Sequence, residues 1–409
     1  MEIICQWLPN LHTLTLTLPA PVPTTGELST EFCRRVLTAC FPRGLVCLQL
    51  IDSGRTAPNR FPAGFVPTLC ATLRTCCPGL KSLILDVSRV SYDDSCAEIW
   101  SALASSHLSS VDWPICLPGF NRWQAGDPTV WNQLPGCIRC LDLTNGYTTL
   151  EVLQAMSNIA DCKLEELKMP FVCQADFSVP QNLNIFPHLK VLELRIDGIR
   201  AVPWEHLALG GELRMLHVEG GYNLASMRGS VRSVVAANPS IREIFLWDSG
   251  PMLGLDFLLE LASVPSLRKL TLGDLHWVGS DEEMAAVQRY ESKISAIEDL
   301  KLAAYIRGVP EKFFSVLSTT FVTLKHLNLK LHNYMFQLEE SASSPAMILQ
   351  LPLLETLEID SGSVGRWQLN WSLETGTALR EIVVDRILTK FRKFKDSSED
   401  GKQLFPSLG

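Results

Sequence analysis

Apolar residues recur along the chain in the pattern L-x-x-L-x-L, in which isoleucine, valine or methionine also occupies the apolar positions. Including one degenerate copy at Leu108, fourteen successive copies begin at Leu11, Leu45, Leu80, Leu108, Ile138, Leu164, Leu189, Leu213, Ile241, Leu267, Ile297, Leu324, Leu354 and Leu379. Their mean spacing is about 28 residues, at the upper end of the range for leucine-rich repeats. A single copy carries no information, whereas an unbroken series of this length indicates a repeat.

Each motif predicts one strand. Because alternate side chains of a strand face opposite sides, the fourth and sixth motif positions face the core, and the third, fifth and seventh point outward. One strand per repeat builds a parallel sheet, and parallel neighbours need a crossover between them.

The segments between motifs predict helical crossovers. Residues 65–80 place Phe65, Leu69, Leu73 and Cys76 or Cys77 on one helical stripe, and Pro78 ends that helix. Proline also stands two residues before the anchor at Pro9, Pro187, Pro239 and Pro265. The sequence therefore predicts an α/β leucine-rich-repeat solenoid, a horseshoe with the parallel sheet on its concave face and helices on its convex face.

The expected domain organisation is one repeat domain over residues 1–385 and a polar capping segment or tail over 386–409. Terminal repeats need a polar cap. Residues 1–10 instead resemble the end of a helix from a preceding repeat, with Ile3, Ile4, Trp7 and Leu8 apolar. We therefore expect that the functional ancestor, or the full gene product, extended further upstream.

Composition narrows the class of protein. Hydrophobic residues make up 46% of the chain, enough for a large core, and the net charge of −8 argues against a non-specific nucleic-acid binder. The thirteen cysteines lie mostly in apolar runs, which favours reduced, buried thiols. With no signal-peptide pattern and no apolar run of transmembrane length, we expect an intracellular protein, cytoplasmic or nuclear, that does not enter a membrane.

Motifs for catalysis or metal binding are lacking. Cys137-Ile-Arg-Cys140 has no second pair to complete a zinc site, and the acidic run Asp281–Glu283 after Ser280 is typical of a capped helix start. The basic, aromatic segment Lys390–Lys395 suits a solvated helix over the last repeat better than a membrane or nucleic-acid contact. No catalytic residue, cofactor or metal is predicted.

The helix followed by Cys77-Pro78-Gly79-Leu80 resembles the repeats of F-box/leucine-rich-repeat proteins, especially the fungal set. This resemblance implies substrate recognition for an SCF-type ubiquitin ligase. The F-box that docks such proteins on the ligase adaptor has no room before Leu11, so we expect this chain alone to capture no adaptor.

The outward motif positions mark a candidate partner surface on the concave face. Phe245 and Trp247 point outward from one strand, and exposed aromatics amid polar residues are typical of binding hot spots. The surrounding positions of this predicted surface are Glu193, Arg195, His217, Glu219, Thr271 and Lys301. Two alternatives remain open: a loop that covers the aromatic pair, or a register shifted by one residue, which turns both inward.

The predicted function is a non-catalytic scaffold, monomeric by itself, that binds an unidentified protein partner. The alternative is a leucine-rich-repeat regulator or inhibitor of another intracellular protein, unrelated to ubiquitination. An enzyme with its site near residues 17–32 or 114–136 is disfavoured, because these segments lack a convergent acid, base and nucleophile.

Overall fold

The protein has a mixed α/β fold with a mostly parallel sheet, which confirms the predicted class at that level. The computed structural model describes residues 11–18, 44–52, 60–61, 65–86, 91–92, 96–106, 108–113, 136–142, 156, 159, 162–172, 186–197, 208, 210–220, 224–247, 253–290, 294–306, 310–332, 347–360, 371–375 and 381–385. The chain divides into two compact units, unit 1 (Met1–Gly198 with Val202–Leu213) and unit 2 (Ile199–Ala201 with Arg214–Gly409). The predicted tail at 386–409 and the first ten residues lie outside the described residues.

Unit 1 is built around parallel strands that pair in chain order. The main sheet comprises β1 (Thr13–Leu18), β2 (Cys47–Asp52), β4 (Ser82–Asp86), β6 (Ser110–Trp113), β7 (Ile138–Asp142), β8 (Glu166–Val172) and β9 (Val191–Asp197). The short strands β3 (Arg60–Phe61) and β5 (Ser91–Tyr92) form a separate parallel pair. The described helices are α1 (Phe65–Cys76) and α2 (Cys96–Ala104).

Unit 2 follows the same plan. Its main sheet comprises β10 (Met215–Glu219), β11 (Glu243–Trp247), β13 (Lys269–Trp277), β14 (Asp299–Ile306), β15 (His326–His332), β17 (Thr356–Asp360) and β19 (Glu381–Asp385). Strand β12 (Leu253–Gly254) pairs with β13, and β16 (Met347–Leu351) pairs with β18 (Trp371–Thr375). The described helices are α3 (Leu224–Ala237), α4 (Leu255–Ala262), α5 (Asp281–Tyr290) and α6 (Pro310–Thr320).

The motif predicts where each main-sheet strand begins. Thirteen of the fourteen strands start two residues after their motif's first apolar residue. The exception is β7, which starts at the anchor Ile138 itself, and its register with β6 shifts between Val111 and Asp112. This irregularity adjoins the degenerate motif at Leu108, where the pattern is weakest.

A turn before the motif explains the proline punctuation. The backbone N–H of Ile241 donates to the Asn238 carbonyl at 3.1 Å, and Leu267 donates to Val264 at 3.2 Å. Proline occupies the second residue of these four-residue turns, where its fixed φ suits a type I or type II turn. The same bond recurs at Cys77–Leu80, Phe186–Leu189 and Leu351–Leu354. Proline therefore shapes the turn that leads into the strand, as well as ending the preceding helix.

The crossovers are not uniformly helical. Helix α1 matches the predicted stripe, with Leu69 and Leu73 buried. The segments before β17 and β19 instead contain the paired strands β16 and β18. In β18, Trp371 and Leu373 alternate with polar residues, a period of two that favours a strand over a helix.

Candidate protein-binding surface

Strand β11 alternates between buried and half-buried side chains. Ile244 and Leu246 are fully buried, whereas Glu243, Phe245 and Trp247 are half-buried. The apolar motif positions thus face the core, and both aromatic side chains lie on the opposite face of the strand. Sequence and structure agree on the register that makes Phe245 and Trp247 outward residues.

Three aromatic rings adjoin one another on this outward face. Phe245 has His217 of β10 and Thr271 of β13 as its register partners. The rings of His217 and Phe245 have centroids 3.9 Å apart, and those of Phe245 and Trp247 are 6.0 Å apart. The three side chains form a continuous patch, which we call the aromatic patch (His217, Phe245 and Trp247).

Lys301 borders the aromatic patch from two strands away. It lies in β14 opposite Thr271, and its Nζ atom is 5.6 Å from the centroid of the Trp247 ring. The lysine side chain is exposed, and the cation–π contact contributes about 0.5–1 kcal/mol at such a site. The aromatic patch therefore carries a positive charge at its edge.

Glu219 and Gly220 fix the end of β10 beside Trp247. Glu219 is half-buried and is the register partner of Trp247. The backbone N–H of Gly220 donates to the Trp247 carbonyl at 2.8 Å, and Gly220 has a φ of 79°. This left-handed conformation favours glycine, since other residues meet a steric penalty there. The backbone at Trp247 is thus held from the neighbouring repeat.

Two outward positions beside the patch are buried, which the motif did not predict. Gly273 and Ala303 occupy seventh motif positions, yet both are buried. The register between β13 and β14 shifts between Leu272 and Leu275, directly at this place. A bulge of this kind redirects side chains locally. The L-x-x-L-x-L pattern contains no signal for it.

The eight predicted partner residues fall in both units. Unit 2 brings His217, Glu219, Phe245, Trp247, Thr271 and Lys301 onto neighbouring strands. Glu193 and Arg195 belong to β9 of unit 1. Glu193 is half-buried with its Oε2 atom 3.8 Å from Lys168 Nζ, and Arg195 is exposed. The aromatic patch is thus a feature of unit 2 alone.

The cysteines behave as apolar residues. Cys70, Cys77 and Cys162 are buried, and none of these three forms a disulfide bond. In the C-x-x-C segment, Cys137 and Cys140 are half-buried, and burial raises the pKa of the Cys137 thiol. A raised pKa opposes thiolate formation, which both redox chemistry and metal binding require. Within the described part of the chain, no cluster of three or more possible metal ligands occurs.

The other predicted features lie only partly within the described residues. The capped start of α5 is confirmed, because Ser280 Oγ accepts the Glu283 N–H at 3.2 Å. His326 is exposed, with its Nδ1 atom 2.9 Å from Thr356 Oγ1. Segment Lys390–Lys395 and residues 19–32 and 114–135 lie outside the described residues.

An open groove lies at the turns after α3 and α4. Its volume is about 580 Å³, and it is lined by Val235, Pro239 and residues 263–266. This lining is mainly apolar and contains no titratable side chain, so it offers no acid–base chemistry.

Within the described part of the chain, no helix combines the length and the apolar character needed to cross a bilayer. No protein-family model matches the chain, and no curated protein shows significant similarity to it.

Proposed function

We propose that this chain is a leucine-rich-repeat solenoid that binds a protein partner on the outward, concave face of its sheet without catalysing a reaction. The repeat spacing, the common starting position of the strands and the recurring turn before each motif support the repeat architecture. Repeat arrays of this kind present broad and rigid binding surfaces.

The aromatic patch is the observation that carries the proposal. Ile244 and Leu246 already place the apolar side of β11 in the core, so Phe245 and Trp247 are not needed there. Aromatic residues that remain partly accessible amid polar neighbours are the usual anchors of an interface. Lys301 and His217 cover part of the rings in the free protein, which limits the apolar area open to water.

The test removes both anchors and measures partner capture. In the double variant Phe245→Ser/Trp247→Ser, we expect capture from extracts of the native cells to fall at least tenfold, with folding retained by circular dichroism. The control is Ile294→Ser/Leu353→Ser, which removes two exposed apolar side chains away from the patch, 68% and 48% accessible. Equal capture by both double variants, at wild-type level, would overturn the proposal.

The resemblance to F-box/leucine-rich-repeat proteins supports a narrower proposal, that the captured protein is a ubiquitin-ligase substrate. In that case the captured protein accumulates when this chain is depleted from cells, and its ubiquitination falls. Unchanged turnover of the captured protein would favour the alternative function, in which this chain regulates or inhibits its partner by binding it on the concave face.

A further inference from the structure

The face of the Trp247 ring holds a cation in the free protein. Lys301 Nζ lies 5.6 Å from the ring centroid, a distance at which an ammonium group is attracted to an aromatic face. Trp247 belongs to β11 and Lys301 to β14, and β13 lies between them, so the two strands are ~9.6 Å apart. The two side chains therefore reach each other across β13.

A carboxylate without a counter-charge stands beside this ring. Glu219 is the register partner of Trp247, and both occupy outward positions, so their side chains project from the same face of adjacent strands. Glu219 is half-buried, and within the described residues its carboxylate forms no ion pair or hydrogen bond. A carboxylate that is partly withdrawn from water gains most from a cation supplied by a partner.

The cations nearest to Glu219 in the two strands do not serve it. Arg214 precedes Glu219 by five residues, and Arg242 precedes Trp247 by five residues. Five residues of extended chain span ~16 Å, and an odd separation places a side chain on the other side of the strand alternation. Lys301 is engaged with the Trp247 ring and forms no ion pair with Glu219.

The outward charges around the aromatic patch favour a cation over an anion. On the described outward positions of β10, β11, β13 and β14, the carboxylates of Glu219, Glu243 and Asp299 face the ammonium groups of Lys269 and Lys301. Glu243 and Asp299 are both register partners of Lys269. This part of the face therefore carries one more negative than positive charge, and Glu219 is the carboxylate next to the aromatic rings.

We propose that the partner inserts an arginine side chain that stacks on the Trp247 ring and pairs with Glu219, displacing Lys301 from the ring. The apolar stem of the arginine packs on Phe245. Lys301 covers the ring only in the free protein, and its exposed side chain moves into solvent when the arginine binds. The inference rests on the proposed function and names the chemistry of the side chain that the aromatic patch receives.

Arginine has two advantages over Lys301 as a ligand of this ring. Its guanidinium group is planar and more weakly hydrated than an ammonium group, so it stacks on an aromatic face at a smaller desolvation cost. It also binds a carboxylate through two parallel hydrogen bonds, which Glu219 can accept. A single arginine therefore uses both the ring and the carboxylate, whereas Lys301 uses the ring alone.

The probe is a displayed library of random dodecapeptides, selected on the immobilised full chain. We expect the enriched peptides to share an arginine. A synthetic copy is measured by fluorescence anisotropy beside a second copy in which citrulline replaces that arginine. Citrulline keeps the shape of the side chain but carries no charge, so we expect it to weaken binding about tenfold.

Variants of the full chain assign the contact. Glu219→Gln should weaken binding of the arginine peptide about tenfold at low ionic strength, with a smaller loss in high salt. It should leave binding of the citrulline peptide unchanged, because that peptide has no cation for the carboxylate to bind. Lys301→Gln should strengthen binding of the arginine peptide about threefold, since it removes the competing ammonium group. The control Asp281→Asn removes an exposed carboxylate on α5 and should leave binding unchanged.

The outcomes separate this inference from the proposed function. A selection that enriches no peptide, or peptides without arginine, would overturn the arginine contact. Equal affinities of the arginine and citrulline copies, or binding that Glu219→Gln leaves unchanged, would do the same. Unchanged or weaker binding by Lys301→Gln would overturn the displacement of Lys301. If Phe245→Ser/Trp247→Ser still abolishes partner capture, the proposed function survives each of these results.

Discussion

At the scale of single residues, Cys70 shows how burial converts a reactive group into core. Cys70 belongs to α1, and the residue is only 5% accessible. Desolvation, with a smaller effect of the nearby Cys137, raises the pKa of the Cys70 thiol to about 12. At pH 8 only about one such thiol in ten thousand is ionised, and the thiolate is the reactive form.

Alkylation of the cysteines measures the reactivity of the Cys70 thiol directly. With iodoacetamide at pH 8, we expect Cys70 in the folded protein to stay unmodified while Cys76, half-buried on the same helix, is labelled. In denaturant both should react. Peptide mass spectrometry gives the extent at each site, and equal labelling of Cys70 and Cys76 in the folded state would contradict the buried placement.

At the same scale, the inward and outward residues of β11 differ in what they stabilise. Ile244→Ala should lower the free energy of unfolding by about 2–5 kcal/mol, because it leaves a cavity in the core. Phe245→Ala should cost less, since the ring is half-buried and faces away from that core. Urea unfolding of both variants tests this order, and a larger loss at Phe245 would favour the register that turns the aromatic pair inward.

At the scale of elements, α5 begins with a reciprocal capping arrangement. Ser280 Oγ accepts the Glu283 N–H, and Glu283 Oε2 accepts the N–H groups of Val278, Gly279 and Ser280 at 3.1, 2.7 and 3.0 Å. These bonds satisfy backbone donors that a helix start leaves without partners.

Removing the serine side chain that caps α5 should destabilise the protein. We expect Ser280→Ala to lower the free energy of unfolding by about 1 kcal/mol. The control Gln288→Ala, at an exposed position of the same helix, should change it by less than about 0.5 kcal/mol. Chemical denaturation compares the two, and indistinguishable midpoints would show that the cap does not hold this helix.

The elements also show what the sequence could predict. Strand starts followed from the motif, because its alternation of apolar residues decides which side chains enter the core. The bulge between Leu272 and Leu275 could not be predicted, since it alters pairing without changing the apolar pattern. Strand β16 was not predicted, because a helix was expected in each crossover between parallel strands.

The candidate surface was predictable only in part. The motif placed Phe245 and Trp247 outward and His217 and Thr271 beside them, which the register confirms. It could not predict that Lys301 reaches across β13 to Trp247, because that contact depends on a side-chain conformation.

At the scale of the whole molecule, one bonding pattern repeats along unit 2. The Arg214 carbonyl accepts the N–H groups of Arg242 and Glu243, and the Arg242 carbonyl accepts those of Arg268 and Lys269. Because the described repeats from β10 to β17 use the same backbone bonds, residues at the same motif position lie beside one another on adjacent strands. The binding proposal depends on this regularity, since it places His217, Phe245 and Thr271 beside one another on three neighbouring strands.

Site-specific photo-cross-linking at position 245 tests the central claim most directly. Phe245 is replaced by p-benzoylphenylalanine, the protein is irradiated in extract of the cells that express it, and adducts are resolved by mass. We predict a discrete protein adduct that disappears when Trp247→Ser is added, and none from the same probe at Ile294, which is exposed away from the patch. No adduct at 245, or the same adducts at both positions, would contradict a partner site on this face.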